Sequence, residues 1–164
     1  MTVPTGYSSP PGTFVPPTPL DFFIATLTIW RESSNQSAEA MYAVACTIRN
    51  RAMLKSWMGH DPVSVCTKHM QFSSMTYHLD PNLTRWPQNG DAAWTRAASA
   101  VRLAFDGATH PWVDGSRGAV FYFTPPLTDP PATWGPVEET VQVGDIKFYR
   151  SIPQNGRAVG EVET

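Results

Sequence analysis

The sequence is poor in charge, in cysteine and in long apolar runs. Only 16% of its 164 residues are charged and the formal net charge is −2, so it lacks the basic excess that binds nucleic acid or an anionic membrane. No stretch approaches the roughly 20 apolar residues of a membrane span, and the N-terminus lacks the basic start and apolar core of a secretory signal. We therefore expect no nucleic-acid partner and no stable membrane insertion.

Residues that usually carry enzyme chemistry are also scarce. Cys46 and Cys66 are too few for a disulfide scaffold and lie within apolar patterns, which favours buried thiols over a bridge. The four histidines have no short metal-ligand spacing, so we expect no metal and no cofactor. The sequence has no G-x-S-x-G motif and no glycine-rich phosphate loop. By elimination, carboxylate chemistry is the enzymatic option that remains.

The ends of the chain differ from its middle. Residues 1–19 hold six of the sixteen prolines and no charged side chain, which predicts an extended arm or tail. Phe14 and Val15 are the residues that could dock this arm on the domain. Residues 152–164 also look loosely held, so the predicted organisation is one domain at 20–151 between two tails.

The pattern of the domain is mainly helical. The predicted helix N-caps are Asp21, Ser37, Asp61 and Asp91, and Gly107 is a predicted C-cap. In the second helix the expected core face comprises Met41, Val44, Ala45, Ile48 and Ala52. After residue 107, the segments 118–126 and 143–150 are rich in Val, Phe, Tyr and Ile, which predicts short strands. The expected fold class is therefore α+β, mainly α-helical, with a small β or irregular region in the C-terminal third.

One glutamate stands out at the end of the first predicted helix. In LTIWRESSNQSAEAMYAVACTIRNR (27–51), Glu32 follows an apolar run, where the helix carbonyls disfavour a carboxylate. Ile29 and Trp30 could add an apolar wall. Both effects raise a carboxyl pKa, as a general acid near neutral pH requires. The alternative is an exposed glutamate, or a salt bridge from Glu32 to Arg31 or Arg49.

Tryptophan is frequent, and four of the six tryptophans lie in loop-like contexts: Trp57, Trp86, Trp112 and Trp134. Flat aromatic rings beside polar groups suit the faces of sugar rings. The alternative for each is a hydrophobic staple that packs beneath a loop.

Three blocks resemble the spore-cortex-lytic (SleB-type) cell wall hydrolases. IWRESSNQSAEAMYAVACTIRNRA is similar to that family's Y-G-E-A-R-G-E…Q-V-A-V-A…I-L-N-R-V segment, and PVSVCTKHMQFSS (62–74) is similar to T-V-x-x-V…Q-F-S. AVFYFTPP…ATWG…VQVGDIKFYR resembles the family's last block. The collinear resemblance covers residues 21–150. It departs from the family at Arg31, Gln36 and Thr124, where glycine, glutamate and asparagine are usual.

The resemblance implies a lysozyme-like fold and cleavage of the β-1,4 bond between N-acetylmuramic acid and N-acetylglucosamine. It places the catalytic glutamate at Glu32. The family is regarded mainly as lytic transglycosylases, in which one carboxyl acts first as acid and then as base. Peptidoglycan glycan strands are the implied partner. The implied sugar-binding or cleft-shaping residues are Gln71, Ser73, Tyr122, Phe123, Thr124 and Trp134.

Two other functions stay open. A hydrolytic muramidase on the same fold would need a second carboxylate, such as Glu39, Asp80 or Asp114. A peptidoglycan-binding module that lacks catalysis would bind sacculi without clearing them.

The source and delivery of the protein are a separate expectation. A compact catalytic domain without a recognisable signal resembles a phage endolysin, a monomer that waits in the host cytoplasm until the inner membrane is permeabilised.

Overall fold

The computed structural model describes residues 14–69, 71–106 and 113–153. In this part of the chain the helices are α1 (Pro19–Ser33), α2 (Ala38–Leu54), α3 (Pro62–Thr67), α4 (Ser73–Thr76) and α5 (Ala92–Phe105). The strands are β1 (Phe121–Phe123), β2 (Val137–Val143) and β3 (Ile146–Ser151). Single turns of 3₁₀ helix occur at Pro81–Thr84 and Ala132–Trp134. The predicted mainly helical class with a small β region is confirmed.

Helix α2 lies at the centre of the fold and is buried on almost every side. The predicted core face is confirmed, since Met41, Val44, Ala45 and Ile48 are all 0% exposed and Ala52 is 3% exposed. Helices α1, α3 and α5 pack around α2. Alanines on both α2 and α5 face this contact, and their small size lets the two helix backbones approach closely.

Three of the four predicted helix starts are confirmed. The side chains of Ser37, Asp61 and Asp91 each accept a backbone N–H in the first turn of α2, α3 and α5. The fourth was wrong, because α1 begins earlier and Thr18 is its N-cap. Asp21 is instead the third residue of α1, where its carboxylate accepts from the Thr18 backbone N–H and completes a capping box. The predicted C-cap Gly107 lies outside the described residues.

The three strands form one antiparallel sheet in the order β1-β3-β2. Strand β1 falls within the predicted segment 118–126, but the prediction for 143–150 was partly wrong. Val143 ends β2 and Ile146 begins β3, so this segment contains a hairpin turn, and Gly144 takes a positive φ of 58° there. Strand β2 escaped prediction because Glu138, Glu139 and Gln142 are exposed and interrupt the apolar pattern.

A buried polar network joins α2 to the loop before β1. Asn50 is 0% exposed and donates from Nδ2 to Asp114 Oδ2 at 2.8 Å and to the Ala119 carbonyl at 3.0 Å. The Asp114 carboxylate also accepts from the backbone N–H groups of Ser116 and Gly118, each at 2.8 Å. Since every one of these groups is buried, the network fixes the approach of β1 to α2.

The two cysteines are free and buried, as predicted. Phe14 packs against Phe105, with ring centroids 5.4 Å apart, whereas Val15 is 56% exposed and does not dock. The division into tails at 1–19 and 152–164 and a domain at 20–151 stays a prediction. None of the described helices is both long enough and apolar enough to cross a membrane.

The Asp114 network yields a stability prediction. Asp114→Ala should lower the free energy of unfolding by about 3 kcal/mol, because it strands buried donors that now bind a carboxylate. Denaturant unfolding followed by circular dichroism measures this loss. Asp145→Asn, in the exposed hairpin turn, is the matched control and should change stability by less than about 0.5 kcal/mol. Equal stability of Asp114→Ala and the wild type would contradict a structural role for the network.

Candidate active site

A cavity of about 690 Å³ opens between the helices and the sheet. Its lining residues are Glu32, Arg51, Ser56, Trp57, Met58, Gln71, Ser73, Phe121, Tyr122, Thr133, Trp134 and Ser151. They come from the end of α1, the end of α2 and the turn after it, the loop before α4 and the start of that helix, strands β1 and β3, and the second 3₁₀ turn. The volume is within the range of about 300–1,000 Å³ that is typical of small-molecule sites.

Glu32 lies in the last turn of α1, and three donors hold its carboxylate. Oε1 accepts from the Ser74 backbone N–H at 3.3 Å and, by a short hydrogen bond, from the Ser74 hydroxyl. Oε2 accepts from the Tyr122 hydroxyl at 3.4 Å, a long and therefore weak contact. The N–H of Ser74 lies in the first turn of α4, where it has no partner within the helix. The two carboxylate oxygens are thus unequal, and Oε2 is the less satisfied.

Burial raises the pKa of Glu32 above its usual value. The hydrogen bonds from Ser74 act in the opposite direction, the negative charge of Asp80 adds a smaller upward effect, and the Tyr122 contact lowers the pKa slightly. Burial also raises the pKa of Tyr122 well above its usual value, so its hydroxyl remains protonated and can donate.

In the structure, Glu32 does not form the alternative salt bridge to Arg31 or Arg49. Arg31 donates instead to the carbonyls of Ser74 and Arg85, and Arg49 donates to the carbonyl of Ala104. Among the described residues, Glu32 has no ion-pair partner within 4.0 Å. The expected wall from Trp30 is also absent from the lining, since this indole donates to Asp91 and packs against Trp94.

Aromatic and thioether side chains form the opposite wall of the cavity. Trp134 stacks on Phe121 with ring centroids 4.8 Å apart and an interplanar angle of 14°. Phe121 and Met58 belong to a second buried cluster beneath the sheet. This packing fixes the orientation of the Trp134 ring toward the cavity.

Arg51 provides a buried cation in the cavity lining. It is 4% exposed, donates from Nε to the Val120 carbonyl at 2.6 Å and lies over the Phe72 ring at 4.9 Å. Nη1 has no hydrogen-bond partner among the described residues. Burial lowers the pKa of Arg51, while the nearby Tyr122, Cys66 and Glu32 raise it. The guanidinium thus adds positive charge behind Tyr122 and Glu32.

The structure brings most of the predicted site residues together. Gln71, Ser73, Tyr122 and Trp134 line the same cavity as Glu32. Phe123 lies behind this lining, buried between Trp134 and Tyr149, so it supports the wall and does not face the cavity. Thr124 follows β1 and is not among the residues that line the cavity, and its predicted contact with a sugar stays a prediction.

Sequence reasoning did not assign Ser74, Arg51 or Trp57 to the site. It singled out Ser73, whereas Ser74 holds Glu32; the adjacent serines gave no means to choose between them. Arg51 lies within the first block of the resemblance, but no role was inferred from the sequence for its charge. Trp57 was noted only as one of four loop tryptophans, although it lines the cavity.

The other candidate carboxylates lie in three different settings. Glu39 is exposed at the start of α2, and Asp114 is buried in the network with Asn50. Asp80 accepts from the Ser73 hydroxyl and raises the pKa of Glu32 by its charge, so it is the one of the three that acts on Glu32. In the described part of the chain, no group of three or more His, Cys, Asp or Glu side chains could hold a metal ion.

Residues 35–149 match the family model of cell wall hydrolases. This chain belongs to the cell wall hydrolase family. The predicted family is therefore confirmed, and so is the coarse prediction of an enzyme that degrades cell walls. Glu32 lies just before the matched residues, so its assignment depends on the geometry of the site. No curated protein matches the sequence.

Two solved structures are similar to this hydrolase over nearly their whole length. One is the catalytic domain of the germination-specific lytic transglycosylase SleB from Bacillus anthracis, with 21% identity and a TM-score of 0.60, covering 90% of this chain and 100% of that chain. The other is the catalytic domain of the Bacillus cereus SleB protein, with 19% identity and a TM-score of 0.60, covering 89% and 99%. The predicted lysozyme-like fold is confirmed.

The raised pKa of Glu32 predicts how stability depends on pH. Because the folded pKa of Glu32 is raised, the unfolded chain loses this proton first as the pH rises, and the free energy of unfolding falls until the folded pKa is passed. Glu32→Gln cannot ionise. Its Tm should therefore match that of the wild type at low pH and exceed it at neutral pH. Glu32→Gln also removes a negative charge from the negative end of α1, which should raise the free energy of unfolding by about 0.3–1 kcal/mol at neutral pH.

Glu39→Gln is the matched control for this measurement. Glu39 is exposed and lies at the favourable, positive end of α2, so its neutralisation should lower the Tm slightly at neutral pH. Thermal unfolding of the wild type and both variants over a pH series provides the comparison. A lower Tm of Glu32→Gln at neutral pH would mean that the carboxylate stabilises the fold.

Proposed function

We propose that this protein cleaves the β-1,4 bond between N-acetylmuramic acid and N-acetylglucosamine in peptidoglycan, as a lytic transglycosylase with Glu32 as its single acid and base. The observation that carries the proposal is the setting of Glu32. It is the one carboxyl group among the described residues that line the cavity, its pKa is raised, and no ion pair holds its charge.

In the first step Glu32 acts as an acid. Since Oε1 already accepts two hydrogen bonds from Ser74, the transferable proton belongs on Oε2. The glycosidic oxygen takes this proton as its bond to C1 of the muramyl sugar breaks, and the carboxylate left behind is stabilised by Ser74. The raised pKa keeps the acid form available at higher pH than for an exposed glutamate.

In the second step the same carboxylate acts as a base. It takes the proton of the muramyl C6 hydroxyl while that oxygen bonds to C1, which closes a 1,6-anhydro ring and restores the acid. No water is consumed and no second carboxylate is required, which suits a cavity that one carboxyl lines. Gln71, Ser73 and Tyr122 are proposed to hydrogen-bond the sugars, and Trp134 to form a wall of the cleft.

Glu32→Gln tests the acid and base role. The amide keeps the size of the side chain but has no transferable proton, so lysis of purified sacculi should fall by about 10²–10⁴-fold. The anhydro products of the wild type should weigh one water less than hydrolytic products, as measured by mass spectrometry. Lysis by Glu32→Gln at the wild-type rate would reject the proposal. A wild-type protein that binds sacculi and never clears them would establish a binding module instead.

A hydrolytic muramidase is the second candidate, and the proximity of Asp80 to Glu32 favours it. Asp80 would have to position a water or stabilise the charged intermediate. If the transglycosylase proposal is right, Asp80→Asn should change the rate by less than about tenfold and leave the anhydro products unchanged. Reducing-end products from the wild type, together with loss of activity in Asp80→Asn, would favour the muramidase.

The biological setting stays a proposal as well. We propose a phage endolysin that is held in the host cytoplasm and acts as a monomer after membrane permeabilisation.

A further inference from the structure

We infer that the part of the cavity lined by Ser56, Trp57, Thr133 and Ser151 is a subsite for a neutral N-acetylated sugar of the glycan strand, with Trp57 as the surface on which that sugar stacks. This inference rests on the proposed function and extends it, since it assigns a residue and a ligand chemistry to the part of the cavity that the reaction does not use.

The turn between α2 and α3 presents Trp57 to the cavity. Trp57 is 51% exposed, while the next residue, Met58, is 2% exposed and packs in the cluster beneath the sheet. The buried side chain of Met58 anchors the turn, so the side chain of Trp57, one residue earlier, remains exposed at the cavity. The exposure of so large an apolar ring therefore follows from the shape of the turn, and exposed apolar surface at the rim of a cleft marks a place where ligands bind.

The turn also has little freedom to move. The Gly59 N–H donates to the Ser56 carbonyl at 3.1 Å, and the Met58 N–H donates to the Ser56 hydroxyl at 3.3 Å. Gly59 has a φ of 127°, and a Cβ at this position would lie 2.7 Å from the Val65 backbone nitrogen. Glycine is thus required here by both conformation and space. A constrained backbone limits the positions that the indole can take, which lowers the entropy lost when a ligand stacks on it.

The chemistry of the part of the cavity around Trp57 indicates a neutral and amphipathic ligand. Its lining combines the apolar faces of Trp57 and Trp134 with hydroxyl-bearing residues, Ser56, Thr133 and Ser151. Among the described lining residues, charge is confined to Glu32 and Arg51, which lie together near Tyr122. A peptide stem carries ionised groups and would call for complementary charge. A sugar has a C–H face that packs on an aromatic ring and hydroxyls that hydrogen-bond serine and threonine.

Trp86 supplies the contrast. It is 58% exposed, close to the exposure of Trp57, but it does not line the cavity. The guanidinium of Arg31 lies 5.0 Å from its ring centroid, so Trp86 covers an arginine. The two tryptophans have the same chemistry and similar exposure, and they differ in whether they face the cavity.

The test measures binding apart from catalysis. In the Glu32→Gln protein, titration calorimetry gives the Kd for an uncharged, peptide-free tetrasaccharide of β-1,4-linked N-acetylglucosamine. Addition of Trp57→Ala should raise this Kd about two- to tenfold, the loss expected for one aromatic contact. Trp57→Phe should retain most of the affinity, and Trp86→Ala should bind as tightly as its parent. In the active enzyme, Trp57→Ala should raise KM for sacculi more than it lowers kcat.

Three results would overturn the subsite. They are an unchanged Kd in Trp57→Ala, an equal loss in Trp86→Ala, or a loss seen only with fragments that carry peptide stems. The last of these would assign the surface to the peptide. Because Trp57 is exposed and Met58 anchors the turn, the Tm of Trp57→Ala should stay close to that of its parent. Failure of the subsite leaves the role of Glu32 intact, whereas failure of the proposed function appears as lysis by Glu32→Gln itself.

Discussion

Three consecutive polar residues near the end of a buried helix hold this fold together. Arg49, Asn50 and Arg51 are all buried on α2, and each donates to a backbone carbonyl in another part of the chain. Arg49 bonds the end of α5, while Asn50 and Arg51 bond the segment that enters β1. A buried donor must be satisfied or its desolvation is costly, so these bonds are required and specific. They determine where β1 lies relative to the helices, and hence where Tyr122 meets Glu32.

The chemistry of the site is a balance between burial and hydrogen bonding on one carboxyl group. Burial alone would make the Glu32 carboxyl a weaker acid, while full solvation would favour the ionised form, which has no proton to donate. Ser74 offsets part of the burial with two hydrogen bonds to the same oxygen. Both hydrogen bonds come from neutral donors and go to Oε1. Oε2 is therefore the oxygen that can exchange a proton with the substrate. The charge of Asp80 adds a smaller upward effect on the pKa of Glu32.

The sequence predicted local features well and long-range ones poorly. Three helix starts could be predicted from their N-caps, Ser37, Asp61 and Asp91, because capping depends only on neighbours within four residues. The error at Asp21 arose because a capping box places an acidic residue at its third position, where it resembles a cap. Strand β2 was missed because its own sequence has no regular apolar pattern. It is a strand because it pairs with β3. Glu32 was found from its place at a helix end and from resemblance, but its partner Ser74, 42 residues away, could be found only in three dimensions.

The two buried thiols have a consequence for where the protein can work. Burial raises the pKa of Cys66 to about 12 and raises that of Cys46 as well, so the reactive thiolate is almost absent at neutral pH. Neither sulfur is exposed to an oxidant or a disulfide exchange partner. The folded protein should therefore have the same covalent structure in a reducing and in an oxidising compartment. Transfer from one to the other would require no reductant and would not switch the enzyme on or off through its thiols.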